Sequence, residues 1–97
     1  RSVAVAGGTI LVGASTGPYI DHAAVYRRSA TGGAFERCIE GLPDRFTSNI
    51  DTFCLAAVGS EAAIGTSDGE VYVSHNAGST WARAASGLPS VLGVSLV

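Results

Sequence analysis

Charge is scarce in this sequence: 14% of its 97 residues are Asp, Glu, Lys or Arg, against about 25% in an ordinary domain. The formal net charge is −2, so there is no basic field to attract nucleic acid or an anionic membrane surface. No apolar run approaches the roughly 20 residues that a membrane-spanning helix needs. No stretch sets apolar residues at helical spacing between caps, which argues against substantial helix. His22 and His75 are isolated, with no Cys or His at ligand spacing, so no metal site is expected. No Gly-rich loop leads into a helix to cradle a phosphate, and no cofactor is expected. No secretory leader is visible and the chain opens on Arg1, which suggests a processed product or a fragment.

What the sequence has in quantity is glycine, 13 residues, within a composition that is 46% hydrophobic. Many turns joining short strands, covered on both faces, suit that mixture. The decisive feature is repetition. Val3–Ser15 aligns with Leu55–Ser67 at an offset of 52. Val25-Tyr26, Gly32, Phe35 and Gly41-Leu42-Pro43 align with Val71-Tyr72, Gly78, Trp81 and Gly87-Leu88-Pro89 at an offset of 46. The first copy therefore carries a six-residue insertion within Thr16–Ala24. Each copy reads as four strands, near 2–6, 9–14, 23–29 and 34–39, then 52–57, 61–66, 70–74 and 80–85. Gly7-Gly8, Gly59-Ser60, Asp68-Gly69 and Asn76-Ala77-Gly78 supply turns between them.

The sharpest local pattern is Ser74-His75-Asn76-Ala77-Gly78-Ser79-Thr80-Trp81. The Asn76 carbonyl can fold back onto backbone N–H groups. Gly78 can take positive φ. The Ser74 and Thr80 hydroxyls can close the turn from either side, and Trp81 can anchor it. This Ser-x-Asn-x-Gly-x-Thr-Trp pattern resembles the Asp-box, or BNR, repeat of β-propellers such as sialidases, sortilin-like receptors, xyloglucanase-type glycosidases and photosystem II assembly factors. The first copy has lost it: positions 28 to 35 read Arg-Ser-Ala-Thr-Gly-Gly-Ala-Phe, a turn left to Gly32 and Gly33.

The resemblance implies an all-β chain forming a partial β-propeller. Residues 1–43 would be one four-stranded antiparallel blade and 44–89 a second. Residues 90–97 would begin a further blade. Propellers typically close with 4–8 blades, so other copies of the chain or further sequence would complete the ring. It also implies an extracellular or periplasmic setting. Cys38 would then lie on an outermost strand and Cys54 on an innermost one. A disulfide needs Cα atoms within about 7 Å, so both read as buried thiols.

Blade topology sorts the loops. Those joining second to third strands share a face with the inter-blade connections, and the Asp-box turn lies on the other. Loops on a rigid scaffold concentrate binding residues. The candidates are Tyr19, Asp21 and His22 in the inserted loop, Arg45, Asn49 and Asp51 in the inter-blade loop, and Asp68. No residue is assigned a catalytic role. Gly13-Ala14-Ser15-Thr16-Gly17 matches a nucleophile-elbow pattern, but no helix follows and Gly65–Gly69 repeats the match, which makes it turn chemistry. Arg27 and Arg28 alternate to opposite faces of a strand, and two blades cannot assemble a sialidase arginine triad. The expected function is a non-enzymatic module recognising a protein or carbohydrate. The alternative is a fragment of a secreted xyloglucanase- or sialidase-like glycoside hydrolase, with catalytic carboxylates partly outside this chain.

Overall fold

The computed structural model describes residues 2–15, 23–43, 54–66, 68–89, 91 and 93–96. Among these there is no α-helix; the chain is all-β. The strands are β1 (Ser2–Ala6), β2 (Thr9–Ser15), β3 (Ala23–Ser29), β4 (Gly32–Arg37), β5 (Leu55–Val58), β6 (Glu61–Gly65), β7 (Val71–Ser74) and β8 (Ala82–Ala85). They form two four-stranded antiparallel meanders, β1-β2-β3-β4 and β5-β6-β7-β8.

Alternation along the strands decides which side of each sheet is covered. In β1, Ala6 is buried and Val3 and Val5 are exposed. That period of two sends Ala4 and Ala6 to one face and the valines to the other. The covered face of the first sheet continues through Leu11 and Val25 to Cys38. It meets Leu55, Ala62, Ile64, Tyr72 and Trp81 of the second sheet in one hydrophobic core. Burying a side chain the size of Leu11 or Ile64, both fully enclosed, contributes about 1.5–3 kcal/mol relative to leaving it in water.

Backbone bonds fix how the two sheets meet. Strands β1 and β5 lie side by side, and Gly7 N donates to Gly59 O at 2.5 Å. Ala30 N donates to Gly8 O and Ala77 N to Ser60 O, so the odd-numbered turns of both sheets gather at one end. At the opposite end lie the Thr66–Glu70 turn and the segment after β8. There Leu88 N donates to Gly69 O and Val91 N to Thr66 O. The Cys54 thiol donates to Val91 O at 3.2 Å.

Two details depart from the sequence expectation. Strand β4 starts at Gly32, not near position 34, because Ser29 pairs with Gly32 and the ladder then shifts register before Glu36. Both glycines have positive φ, +129° and +99°, so they carry a bulge inside the ladder. A strand was also expected over 90–97. Its described residues, 91 and 93–96, form no strand; Val91 instead bonds to the Thr66 carbonyl at the end of the second sheet. Cys38 and Cys54 are both free and buried.

Candidate functional site

Three features distinguish themselves from plain sheet. The first is the Ser74–Trp81 turn between β7 and β8. The Ser74 hydroxyl donates to Asn76 Oδ1 at 2.9 Å and accepts from Gly78 N at 2.9 Å. Asn76 Oδ1 also accepts from Thr80 N at 2.9 Å, while its Nδ2 donates to Thr80 Oγ1 at 2.8 Å. Trp81 Nε1 donates to Gly78 O at 2.9 Å. Gly78 has φ +84°, and a Cβ there would fall 2.6 Å from Leu11 Cδ2 of the first sheet. Ser74 and Trp81 are buried. The polar side-chain atoms of Ser74, Asn76, Thr80 and Trp81 thus bond within the turn, and its apolar side faces the core. His75 is exposed and ion-paired with Glu61, a pair worth little at the surface.

The second feature lies at the opposite end. The Thr66 hydroxyl donates to Asp68 and accepts from Glu70 N at 3.0 Å. Tyr72 OH donates to Glu70 Oε1 at 2.8 Å, and Arg83 Nη1 to Glu70 Oε2 at 3.1 Å. Burial pushes the Tyr72 hydroxyl up to about 12, with the hydrogen bond to Glu70 and its charge adding to the shift. Sequence reading singled out Asp68 here and missed Glu70, Tyr72 and Arg83. The signal was present: Glu70 stands just before β7, two residues from Tyr72, and Arg83 is the cross-strand partner of Tyr72.

The third feature is the open side of the first sheet. Val3, Val12, Ala14, Tyr26 and Phe35 line an apolar groove of about 440 Å³. Arg28 stacks over the Phe35 ring at 5.0 Å from its centroid. A smaller hollow of about 330 Å³ runs along the β3–β4 bulge beside Arg27, Arg28 and Glu36. The Nε atoms of Arg27 and Arg28 are buried with no hydrogen-bond partner.

Of the other residues singled out as binding candidates, Tyr19, Asp21, His22, Arg45, Asn49 and Asp51 lie outside the described residues. Among the described residues, no three His, Cys, Asp or Glu side chains gather as metal ligands. No helix there is long and apolar enough to cross a membrane. No protein-family model matches the chain, and a search of curated proteins found no match.

Proposed function

We propose that this chain is two blades of an Asp-box-class β-propeller and serves as a non-enzymatic binding module for a protein or a carbohydrate. The observation that carries the reading is the pairing of two consecutive meanders through their first strands, with Gly7 N bonded to Gly59 O. Successive sheets set around an axis, innermost strand beside innermost strand, are how a propeller is built. The Ser74–Trp81 turn, whose side chains bond to one another, supports the Asp-box assignment and spends those side chains on the turn itself.

Recognition then belongs to the opposite end, where β2 ends at Ser15 and β3 begins at Ala23. Tyr19 would stack on a ligand, and Asp21, His22, Arg45, Asn49 and Asp51 would supply polar contacts. The glycoside-hydrolase alternative would need a carboxylate held ready for acid–base work. Asp68 instead accepts the Thr66 hydroxyl within its own turn, which favours a binder. A glycan array and a panel of chromogenic glycosides test the choice. Binding without turnover, abolished by Tyr19→Ala with Arg45→Ala while the circular dichroism is unchanged, is the expected result. Turnover of any glycoside, lost on Asp68→Asn, would overturn it.

A further inference from the structure

The two copies differ in burial in a way that their sequences do not explain. Trp81 is 6% exposed, whereas its counterpart Phe35 is 46% exposed. Leu55 is 5% exposed and its counterpart Val3 is 61% exposed. Tyr72 and Ile64 are buried, while Tyr26 and Val12 are half-buried and line the open groove. In each pair the second-sheet residue is buried in the core between the sheets, and the first-sheet residue is exposed or half-buried, with only the Arg28 guanidinium over Phe35 among the described residues. The converse holds on the other faces. Ala6 is fully buried against the second sheet, and its counterpart Val58 is 50% exposed. The open face of the first sheet is therefore the repeat equivalent of a face already covered within the chain, while the outer face of the second sheet is open at Val58 and covered at Gly65 by Val91 and Val94.

The backbone repeats the same asymmetry. Gly41 has φ +85°, and a Cβ there would lie 1.7 Å from Trp81 O. Beside it, Glu40 O accepts from Trp81 N at 2.9 Å. Gly87, the counterpart of Gly41, has φ +71° and no atom within 4 Å of a Cβ position. It holds the same left-handed conformation with nothing packed against it.

We propose that the open face of the first sheet is the docking surface for a second copy of this chain, whose second sheet and Ser86-Gly87 backbone seat on Phe35. The contact reproduces the one inside the chain. Val58, Val71 and Val73 of one copy cover Val3, Val12 and Tyr26 of the next. Phe35 N donates to Ser86 O, Gly87 lies against Phe35 O, and Gly59 N donates to Gly7 O. Because the two surfaces differ, the contact is heterologous; it closes into a ring if the rotation allows and otherwise propagates. Contiguous exposed apolar surface of this kind marks an association site.

Sedimentation velocity across a wide concentration range tests this with the full chain, Gly87→Asn and Phe35→Asp. Asn tolerates positive φ, so the first variant keeps the fold while placing a Cβ against the partner's carbonyl. Wild-type chain is expected to associate, and each variant to weaken association by about 100-fold, the scale of a central interface residue, with native circular dichroism. The inference shares the repeat reading behind the proposed propeller, yet the two fail separately. A closed oligomer dispersed by both variants supports both. An open-ended polymer dispersed by both supports the interface and sinks the ring. A wild-type monomer at every concentration, or an assembly indifferent to both variants, overturns the interface whatever the glycan array shows.

Discussion

The carbonyl of Trp81 faces the α-carbon of Gly41 so closely that a Cβ on Gly41 would sit 1.7 Å from the oxygen. The nearest atoms to that Cβ, the O, C and Cα of Trp81, are all backbone, so rotamer changes cannot relieve the overlap. Gly41→Ala should therefore cost about 3 kcal/mol or more, from overlap plus left-handed strain. Gly87→Ala shares the positive φ but meets nothing within the chain. Its cost should stay near the conformational term alone, roughly 1–2 kcal/mol. Urea midpoints of the two variants, measured on monomer, check the difference; equal losses would mean that the Gly41–Trp81 approach is not a constraint.

Asn76 makes its contacts through both side-chain atoms, and they are not equivalent. Oδ1 accepts from the Ser74 hydroxyl and Thr80 N, and Nδ2 donates to Thr80 Oγ1. Asn76→Ala removes all three and leaves the Thr80 amide without its acceptor, at about 2 kcal/mol. Asn76→Asp keeps both accepted bonds, and the Thr80 hydroxyl can rotate to donate to the second oxygen. That variant should lie within about 0.5 kcal/mol of wild type. Thermal unfolding of the pair separates turn chemistry from mere occupancy of the site: equal destabilisation would refute the hydrogen-bond account.

Much of this architecture was legible in the residues because turn chemistry is local. Gly7-Gly8, Gly59-Ser60 and Asp68-Gly69 punctuate the strands where sequence reading put them, and the repeat offset pairs the right elements. The β3–β4 hairpin was less legible. Gly32 and Gly33 read as a turn, yet Gly32 pairs with Ser29 and the chain bulges without leaving the sheet. A glycine pair suits either outcome, and only the partner strand chooses. The Glu70–Tyr72–Arg83 network was missed because reading ran along each strand and not across the ladder. Equally, no local signal says that Val3 is open while Leu55 is covered. Both are apolar residues at one repeat position, and their difference depends on which neighbour is present.

Tyr72 gives the fold a sensitivity to alkali. Burial and the Glu70 carboxylate raise its hydroxyl from the usual 10.0 to about 12. A group whose folded pKa is raised contributes stability fully below its unfolded value and loses that contribution as pH climbs through the folded value. Stability should therefore be insensitive to Tyr72 below pH 10 and decline between pH 10 and about 12. Tyr72→Phe removes this ionisation, so the alkaline decline should flatten, with some constant loss from the Glu70 bond. Absorbance titration at the tyrosinate band, wild type minus variant, should place the missing transition near pH 12. A difference spectrum centred near pH 10 would contradict the buried, hydrogen-bonded placement.

The two thiols offer a probe of the core itself. Cys38 and Cys54 are free and buried, at 6% and 2% exposure. Burial raises the Cys38 pKa, with the hydrogen bond from Trp81 and the charge of Arg27 opposing it. Thiolate is the reactive form, so both low access and a raised pKa retard attack on Cys38. The Cys54 thiol is further engaged with Val91 O. An aromatic disulfide reagent should label neither cysteine faster than the core opens, and both should react together once urea exposes them. Reductant should leave the unfolding midpoint unchanged, since no disulfide contributes to it. Replacing Val91 with Gly strips the side chain packed over Gly65 and loosens the segment that holds the Cys54 thiol. Labelling of Cys54 should then accelerate while Cys38 stays slow, and simultaneous acceleration of both would show that the segment after β8 holds the whole core and not one end of it.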